Sequence, residues 1–279
     1  MGMKNQSIVD TEIKRHEEEV NGAFSKQSGI FDSLEIDNEL VLLIRNNIRQ
    51  HVLNYTTPSQ TMLELNCGTG LDAMFFVNHG LFVHATDNAD GMLNQLQQKV
   101  IKYELQDKLT FQKCSFNELE QLKQKKYSHV FSNFGGLNCS PDLKKVIKSL
   151  DNLLDVNGVA HLVIMPRFCL WEMLFVWKGF FKLAFRRFSL NGSTSQLEGL
   201  TFTTYYYSPR YIQRAFGTNY ETRSIKAMGC FIPPTYMDQM PKKRPNFFKK
   251  LVSLDAKHAH KWPFYNLGDH FVISMKKKR

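Results

Sequence analysis

The sequence predicts an α/β fold built on a mostly parallel sheet, and the main evidence is the alternation of short apolar segments with amphipathic ones. Between residues 58 and 165, strand-like and helix-like segments follow one another in turn. This rhythm is typical of βαβ units, whose strands run parallel. The predicted strands cover residues 61–65, 81–85, 109–113, 129–132 and 159–165.

Glycine and proline residues mark the ends of several elements. Gly80 follows the first helix of this region, as a C-terminal glycine does, and Pro141 begins another helix. Residues 10–53 carry apolar side chains at helical spacing, and residues 221–226 and 271–275 are strand-like. We divide the chain into N-terminal helices covering the site at 1–57, a core at 58–165, an aromatic cap insertion at 166–207, and a C-terminal completion of the sheet with a basic segment at 208–279.

The composition is that of an ordinary globular chain, with 43% hydrophobic and 22% charged residues among 279. The formal net charge of +10 favours contact with anions such as nucleic acid, an acidic lipid surface or an acidic substrate. The five cysteines are an odd number without CxxC spacing, which argues against a disulfide framework or a structural zinc site. The polar N-terminal stretch and the lack of a long apolar run predict a cytoplasmic protein without a membrane span.

The clearest motif is the segment Glu64–Gly70, ELNCGTG, between the first predicted strand and its helix. Glycines let the chain turn tightly and let a ligand approach the backbone, and the helix start offers free N–H groups. Asp87 follows the second strand, 17 residues after Gly70, where a carboxylate accepts hydrogen bonds from both hydroxyls of a ribose. Together these features predict a cofactor that contains adenosine, and they do not by themselves exclude NAD.

These motifs resemble those of the class I methyltransferases that depend on S-adenosylmethionine (SAM). Glu64–Gly70 resembles the family's acidic-x-Gly-x-Gly-x-Gly motif, Asp87 resembles its ribose-binding acid, and the resemblance extends in order over about residues 20–165. It implies a Rossmann-like sheet of seven strands, mostly parallel with an antiparallel last strand. It also implies SAM as cofactor and S-adenosylhomocysteine as product. The residues it assigns to the cofactor site are Phe31, Glu64, Asn66, Cys67, Gly68, Gly70, Asp87, Asn88, Met92, Ser115, Phe116, Asn133 and Phe134.

Three of these positions depart from the family pattern. Asn66 replaces the first glycine, and asparagine tolerates the left-handed backbone of such a turn. Ser115 stands where many relatives carry an aspartate that holds the adenine amino group, and its hydroxyl can still hydrogen-bond there. Phe31 lacks the hydroxyl of the tyrosine that closes over the cofactor in menaquinone and ubiquinone methyltransferases, so its closing role is by packing. By resemblance, Glu64 accepts from the SAM ammonium directly or through water.

The sequence does not assign a general base. Methyl transfer from a sulfonium depends on holding the acceptor in line and excluding water, although an oxygen acceptor can require a base. The catalytic candidates are His270 before the last strand, Asn138 in the loop after the fourth, and His161 inside the fifth. A buried structural position is the alternative for His161. No metal site is expected.

The insertion at 166–207 is rich in phenylalanine and tryptophan. Lys178, Lys182 and Arg186 recur at intervals of four residues, which predicts an amphipathic helix with one cationic face. We expect a lid over the site, with or without peripheral contact to an anionic membrane. The predicted acceptor-binding residues are Trp171, Phe175, Tyr205 and Tyr207.

The sequence therefore predicts methyl transfer from SAM to an apolar or aromatic small molecule. An RNA or protein methyltransferase is an alternative that the net charge favours. However, the fourth strand ends in Asn133-Phe134-Gly135-Gly136 rather than the Asn/Asp-Pro-Pro-aromatic motif of amino methylases, and no RNA-binding module is recognisable. Two further alternatives are a non-catalytic SAM-fold protein at a membrane surface and an NAD-linked oxidoreductase, whose Gly-x-Gly-x-x-Gly pattern is not met.

Overall fold

A computed structural model describes residues 2–122 and 126–278. The described residues contain a sheet of seven strands and a separate two-stranded hairpin. The sheet consists of β1 (Thr61–Leu65), β2 (Phe82–Asp87), β3 (Leu109–Lys113), β4 (Tyr127–Ser132), β5 (Leu154–Ile164), β8 (Tyr220–Met228) and β9 (His270–Lys277), and the hairpin of β6 (Ser193–Leu197) and β7 (Leu200–Thr204).

The sheet has the strand order β3-β2-β1-β4-β5-β9-β8. Strands β1 to β5 run parallel to one another, whereas β9 lies antiparallel to both β5 and β8. The order reverses between β1 and β4, which is where open parallel sheets bind ligands at the carboxyl ends of their strands. The prediction of a Rossmann-like, seven-stranded sheet with an antiparallel last strand is confirmed.

The helices pack on both faces of the sheet. The predicted helical region at 10–53 forms two helices, because the Asn38 side chain accepts hydrogen bonds from the backbone N–H groups of Leu40 and Val41 and caps the second. The α-helices in the described part of the chain are α1 (Gly2–Asp37), α2 (Glu39–Leu53), α3 (Leu71–Asn78), α4 (Asp90–Lys102), α5 (Leu143–Leu153), α6 (Leu170–Leu174), α7 (Phe181–Phe185), α8 (Pro209–Phe216), α9 (Met240–Lys243) and α10 (Pro245–His258).

The core has two layers, one on each face of the sheet. Because successive side chains of a strand point to opposite faces, each inner strand contributes to both layers. In β1, Leu63 and Leu65 pack in the layer that contains residues of α5 and α8. Met62 packs in the layer that contains residues of α2, α3 and α4. Helices therefore cover both faces of the sheet. A ligand can approach it at the carboxyl ends of the parallel strands.

The aromatic insertion differs from the single amphipathic helix that its spacing predicts, and that prediction is wrong. Gly179 adopts a left-handed conformation, with φ of 79°, and separates a 3₁₀ turn after α6 from α7. Arg186 does not share an outward face with Lys178 and Lys182, since its guanidinium turns inward to Glu172. Among the described helices, none combines the length and apolar character that crossing a bilayer requires.

Candidate functional site

A cavity of about 450 Å³ lies at the carboxyl ends of β1, β2 and β4. Its volume falls in the range of about 300–1,000 Å³ that is typical of small-molecule sites. The wall is formed by the turn after β1, the end of β2, the loop after β4, the start of β9 and one face of α1. This is the edge of the sheet at which the strand order reverses.

The turn after β1 brings the backbone close to the cavity. Asn66, Gly68 and Gly70 have φ values of 46°, 55° and 81°. The prediction that Asn66 sustains a left-handed turn is therefore confirmed. A Cβ on Gly68 would lie 3.6 Å from the ring of Phe31, whereas one on Gly70 would lie 2.3 Å from Leu96 Cδ1. Gly68 thus leaves room on the cavity side, and Gly70 lets α3 begin against α4.

Asp87 joins the end of β2 to the glycine turn. Its two carboxylate oxygens accept hydrogen bonds from the backbone N–H of Gly68 at 2.8 Å and of Ala89 at 2.9 Å. Burial raises the pKa of Asp87 above its ordinary value, and these backbone donors oppose that shift. Each carboxylate oxygen retains a lone pair for another donor, so Asp87 can accept from the two hydroxyls of a ribose.

The segment after β3 forms the side of the cavity next to α1. Ser115 Oγ donates to Glu17 Oε1, and Asn117 Nδ2 donates to the same oxygen at 2.6 Å. Met92 and Phe116 also line the cavity. A thioether and a ring provide apolar surfaces, while the hydroxyl and amide provide hydrogen bonds, and this combination suits a flat heterocycle.

A network of buried charges lies between α2, α3 and the loop after β4. Asp72 accepts hydrogen bonds from Arg45, from Arg49 at 2.6 Å and from the Asn133 amide at 2.8 Å. Burial raises the pKa of Asp72, but the two arginines outweigh it and hold that pKa below its ordinary value. Arg45 also pairs with Glu35. Asn133 is the one member of this network predicted from the sequence, because a charged residue on an amphipathic helix does not by itself indicate a site.

Glu64 lies behind this network and not on the cavity wall. It is 1% exposed, and its Oε2 has no hydrogen-bond partner among the described residues. Burial and the nearby charge of Asp72 raise the pKa of Glu64 well above its ordinary value, against the opposing effect of Arg45 and Arg49. Its role in holding the SAM ammonium stays a prediction.

The opposite end of the cavity is formed by the cap and the start of β9. His270 Nδ1 lies 3.2 Å from Asp269 Oδ2, within ion-pair range but outside the alignment of a hydrogen bond. Arg187 donates to Asp269 Oδ1 and to Glu172 Oε1, at 2.6 Å each. Burial raises the pKa of Asp269, but His270 and Arg187 together hold that pKa well below its ordinary value. A histidine backed by an ionised carboxylate therefore faces the cavity.

Three potential metal ligands lie close together behind this end of the cavity. Cys169, Glu172 and Asp269 each place one ligand atom within 4.8 Å of the others. Arg187 pairs with both carboxylates and Arg186 pairs with Glu172, so two guanidinium groups balance the charge that a bound cation would otherwise balance. We therefore interpret the cluster as an ion-pair network that fixes the cap to β9. All five cysteines are free thiols.

Helix α1 covers one side of the cavity. Polar contacts hold it there: Asp32 accepts from Thr69 Oγ1 and from Lys99 Nζ, at 2.5 Å each, and His16 Nε2 lies 2.8 Å from the carbonyl oxygen of Cys139. The spacing of its cavity residues is helical, so they share one face. Those residues are His16, Glu17, Val20, Asn21, Phe24, Gln27, Phe31 and Glu35. Sequence reasoning had identified Phe31 alone, although the spacing was a usable signal.

Most of the residues predicted for the cofactor site meet at this cavity. Glu64 and Gly70 are the exceptions and lie behind its wall. The predicted residues on the wall are Phe31, Asn66, Cys67, Gly68, Asp87, Asn88, Met92, Ser115, Phe116, Asn133 and Phe134.

The three catalytic candidates are placed differently. His270 lines the cavity, and its ring meets Phe134 edge-on with centroids 5.9 Å apart. Asn138 is fully buried, and its amide bonds the backbone of Met165 and Tyr205, which ties β5 to the end of the cap. His161 is also fully buried and bonds a serine of β9 at 2.9 Å. The structural alternative for His161 is confirmed.

None of the four predicted acceptor-binding residues lies on the described cavity wall. Trp171 donates its indole N–H to a backbone carbonyl at 3.1 Å, and Tyr207 packs in the core. Tyr205 packs beside that core and against α1. Phe175 packs against Tyr236, with ring centroids 6.5 Å apart, and Tyr236 lines the cavity instead. This aromatic residue of the wall comes from the segment after β8, which the sequence pattern did not single out.

Comparison with known proteins identifies the domain. Residues 62–158 match the family model described as a methyltransferase domain. An S-adenosylmethionine-dependent methyltransferase of Mesorhizobium loti is similar at 12% identity and TM-score 0.52, over 82% of this chain and 96% of that one. Geranyl diphosphate C-methyltransferase of Streptomyces coelicolor A3(2), solved with geranyl diphosphate and S-adenosylhomocysteine, is similar at 10% identity and TM-score 0.53, over 84% and 79%.

Phosphoethanolamine N-methyltransferase 2 of Haemonchus contortus, solved with SAM, is similar at 17% identity and TM-score 0.53, over 84% of this chain and 53% of that one. No curated protein matches the sequence. At these identities the structural likeness establishes the fold, while the family match from β1 into β5 establishes the kind of domain. The chain therefore carries a methyltransferase domain at residues 62–158, on a Rossmann-like fold.

Proposed function

We propose that the enzyme transfers the methyl group of SAM to an apolar or aromatic small-molecule acceptor. The observation that carries this proposal is the continuity of one cavity from Asp87 and Met92 at one end to Phe134 and His270 at the other. The first end has the groups that bind an adenosine, and the second is bounded by aromatic rings. A cavity of about 450 Å³ admits a small molecule beside the methyl group, but not a folded macromolecule.

We assign the cofactor to the end of the cavity at β2 and β3. The free lone pairs of Asp87 accept from the ribose hydroxyls. Met92 and Phe116 pack on the adenine, and Ser115 and Asn117 supply hydrogen bonds to its edge. Asn133 also lines the cavity, and it would contact the methionine part of SAM.

We assign the acceptor to the end of the cavity at the cap. Phe134, Met165 and Tyr236 line this part of the wall. The Arg45 guanidinium lies 4.5 Å from the centroid of the Phe134 ring, and His270 meets the ring edge-on, so the orientation of the ring is fixed. Rigid apolar walls hold an acceptor in line with the methyl group and exclude water, which is the main requirement of this reaction.

The chemistry is a direct displacement at the methyl carbon. The acceptor atom donates an electron pair to the methyl carbon, the carbon–sulfur bond breaks, and the sulfonium becomes the neutral thioether of S-adenosylhomocysteine. Where the acceptor is a hydroxyl, its proton passes to His270, and Asp269 stabilises the imidazolium that forms. An Asp–His pair at 3.2 Å supports this assignment.

Calorimetry with S-adenosylhomocysteine tests the cofactor assignment. Asp87→Asn should weaken binding by about tenfold or more, because the amide keeps only one oxygen for the ribose hydroxyls. Asp90→Asn is the matched control, since Asp90 is an exposed carboxylate in the first turn of α4 that pairs with Lys113. Equal affinity in both variants would remove Asp87 from the site.

Incubation with methyl-labelled SAM and a fractionated extract of the host tests the acceptor class. Label is counted separately in the organic phase, the RNA and the protein precipitate. Label in the organic phase that requires active enzyme supports the proposal and provides the product for identification. Label confined to RNA or protein would overturn it.

A further inference from the structure

The cap carries a protruding apolar tip, residues 177–182. Gly179 turns the chain between two short helical segments, and all six residues of the tip are exposed. Trp177 is 89% exposed, and Phe180 and Phe181 are 57% exposed each. Monomeric proteins rarely expose several large aromatic side chains together, and where they do so the patch marks an interaction surface.

The inner side of the cap is fixed firmly, so the exposure of the tip does not reflect loose packing. Glu172 accepts hydrogen bonds from Arg186 and Arg187 at 2.6 Å each, and Arg187 donates to Asp269 at the same distance. Glu172 is 1% and Arg187 2% exposed. The tip is therefore held outward on a rigid base.

Two exposed lysines, Lys178 and Lys182, stand beside the aromatic residues of the tip. This pairing suits the boundary of a bilayer, where rings enter the headgroup region while ammonium groups remain with the lipid phosphates. We propose that the tip docks on a bilayer surface that contains anionic lipids. The net charge of +10 adds long-range attraction to such a surface. A second copy of the chain would bring like charges together at the tip, which disfavours it as the occupant.

Docking at the tip brings the acceptor end of the cavity close to the bilayer. Arg186 and Arg187, one helix beyond the tip, line the cavity, as does Tyr236, which packs against Phe175 just before the tip. An apolar acceptor held in the bilayer could then enter the cavity without crossing water. The docking proposal does not depend on the proposed acceptor, because vesicle binding is measured without methyl transfer.

Co-sedimentation of the full chain with lipid vesicles tests the proposal. Vesicles of phosphatidylcholine alone are compared with vesicles that also contain about 30% phosphatidylglycerol, at about 0.1 M NaCl so that charge attraction is not fully screened. We expect binding to the anionic vesicles that weakens as salt is raised. Trp177→Ser/Phe181→Ser should weaken binding by about tenfold or more through lost apolar burial. Lys178→Glu/Lys182→Glu should do so through lost attraction, by about tenfold or more.

The matched controls lie at the end of α4, at the opposite edge of the sheet from the cavity. Ile101 and Tyr103 are 60% and 51% exposed and flank Lys102, so this segment also places large apolar side chains beside a lysine. Ile101→Ser/Tyr103→Ser and Lys102→Glu/Lys108→Glu, which changes the net charge as much as the tip variant does, should bind vesicles as the wild type does. Circular dichroism of each variant checks that the fold is retained.

Three outcomes of the vesicle experiment would overturn the proposal. The wild type could fail to bind anionic vesicles, the tip variants could bind as tightly as the wild type, or the control variants could lose as much binding as the tip variants. Sedimentation velocity of the wild type and of Trp177→Ser/Phe181→Ser tests whether a second copy of the chain occupies the tip instead. A dimer that only the tip variant loses would assign the tip to a second copy and also overturn the proposal.

Discussion

The substitution Gly70→Ala tests how the glycine turn packs against α4. The φ of Gly70 is 81°, a left-handed conformation that costs an L-residue about 1–2 kcal/mol. An added Cβ would also lie 2.3 Å from Leu96 Cδ1, and overpacking of this kind costs about 1–3 kcal/mol. We expect the free energy of unfolding to fall by about 2–5 kcal/mol, measured by urea denaturation with circular dichroism.

The substitution Leu96→Ala separates the two contributions. Leu96 is fully buried, so its truncation alone should cost about 2–5 kcal/mol. In that background the added Cβ no longer meets the leucine methyl, and Gly70→Ala should cost about 1–3 kcal/mol less than in the wild type. Gly179→Ala is the matched control, because φ is 79° there and nothing lies within 4 Å of the added Cβ. Equal costs at Gly70 and Gly179, with no coupling to Leu96, would refute the reasoning.

Three further predictions concern buried charge. His270→Gln should lower kcat by about 10²–10⁴-fold for a hydroxyl acceptor without changing the affinity for S-adenosylhomocysteine, and an unchanged kcat would remove His270 as the base. Arg187→Met removes the guanidinium group from the buried Asp269 and leaves Glu172 with Arg186 alone, so it should lower the free energy of unfolding by about 3–5 kcal/mol, whereas a neutral effect in urea denaturation would contradict the ion-pair role. Burial lowers the pKa of His51 and of His129 from 6.5 to about 4, with Lys226 adding to the effect at His51. The unfolded chain therefore takes up protons first as pH falls. Each histidine should reduce the free energy of unfolding by up to about 1.4 kcal/mol per pH unit from the unfolded pKa down to the folded one. Denaturation at a series of pH values measures this slope, and it should be smaller in His129→Phe.

The sheet could be predicted because its strands are apolar runs between turn signals. The bounds of β1 and β3 agree with the prediction at every residue. β5 is the clearest difference, since it begins at Leu154 and not at residue 159. Asn157 adopts φ of 66° within the strand, so the Asn157-Gly158 pair bends the strand without ending it. A turn signal in the sequence does not show whether the residues on both sides of the turn pair with the same neighbouring strand.

The cap could not be predicted from its periodicity, because long-range ion pairs decide its course. The spacing of Lys178, Lys182 and Arg186 fits a helix, but Glu172 draws the guanidinium of Arg186 to the inner side. Gly179 then supplies the left-handed turn that a continuous helix would exclude. A spacing of four residues shows which side chains can lie on one face of a helix. It does not show which residues form ion pairs with them.

The candidate site was predictable where backbone turns form its wall, and less so where side chains from distant segments complete it. Glycine positions and an acid at a strand end are fixed by the fold, so Gly68 and Asp87 could be placed from spacing alone. Arg45 and Tyr236 reach the cavity from α2 and from the segment after β8. Tertiary packing places these two side chains on the cavity wall, and no local sequence pattern indicates that placement.

The net charge of +10 describes the surface of the enzyme and not its cavity. The exposed basic residues at 242–244 and 249–250 lie outside the cavity wall. Among the described residues, the wall carries the carboxylates of Glu17, Glu35, Asp72, Asp87 and Asp269 and the guanidinium groups of Arg45, Arg186 and Arg187. Because acids outnumber arginines in a site of low dielectric, the wall favours a cationic ligand. SAM carries a sulfonium charge that S-adenosylhomocysteine lacks, so on the proposed cofactor assignment we expect this wall to hold the product less tightly than SAM. The positive charge of the outer surface can therefore attract an anionic membrane surface without opposing the binding of a cationic cofactor in the cavity.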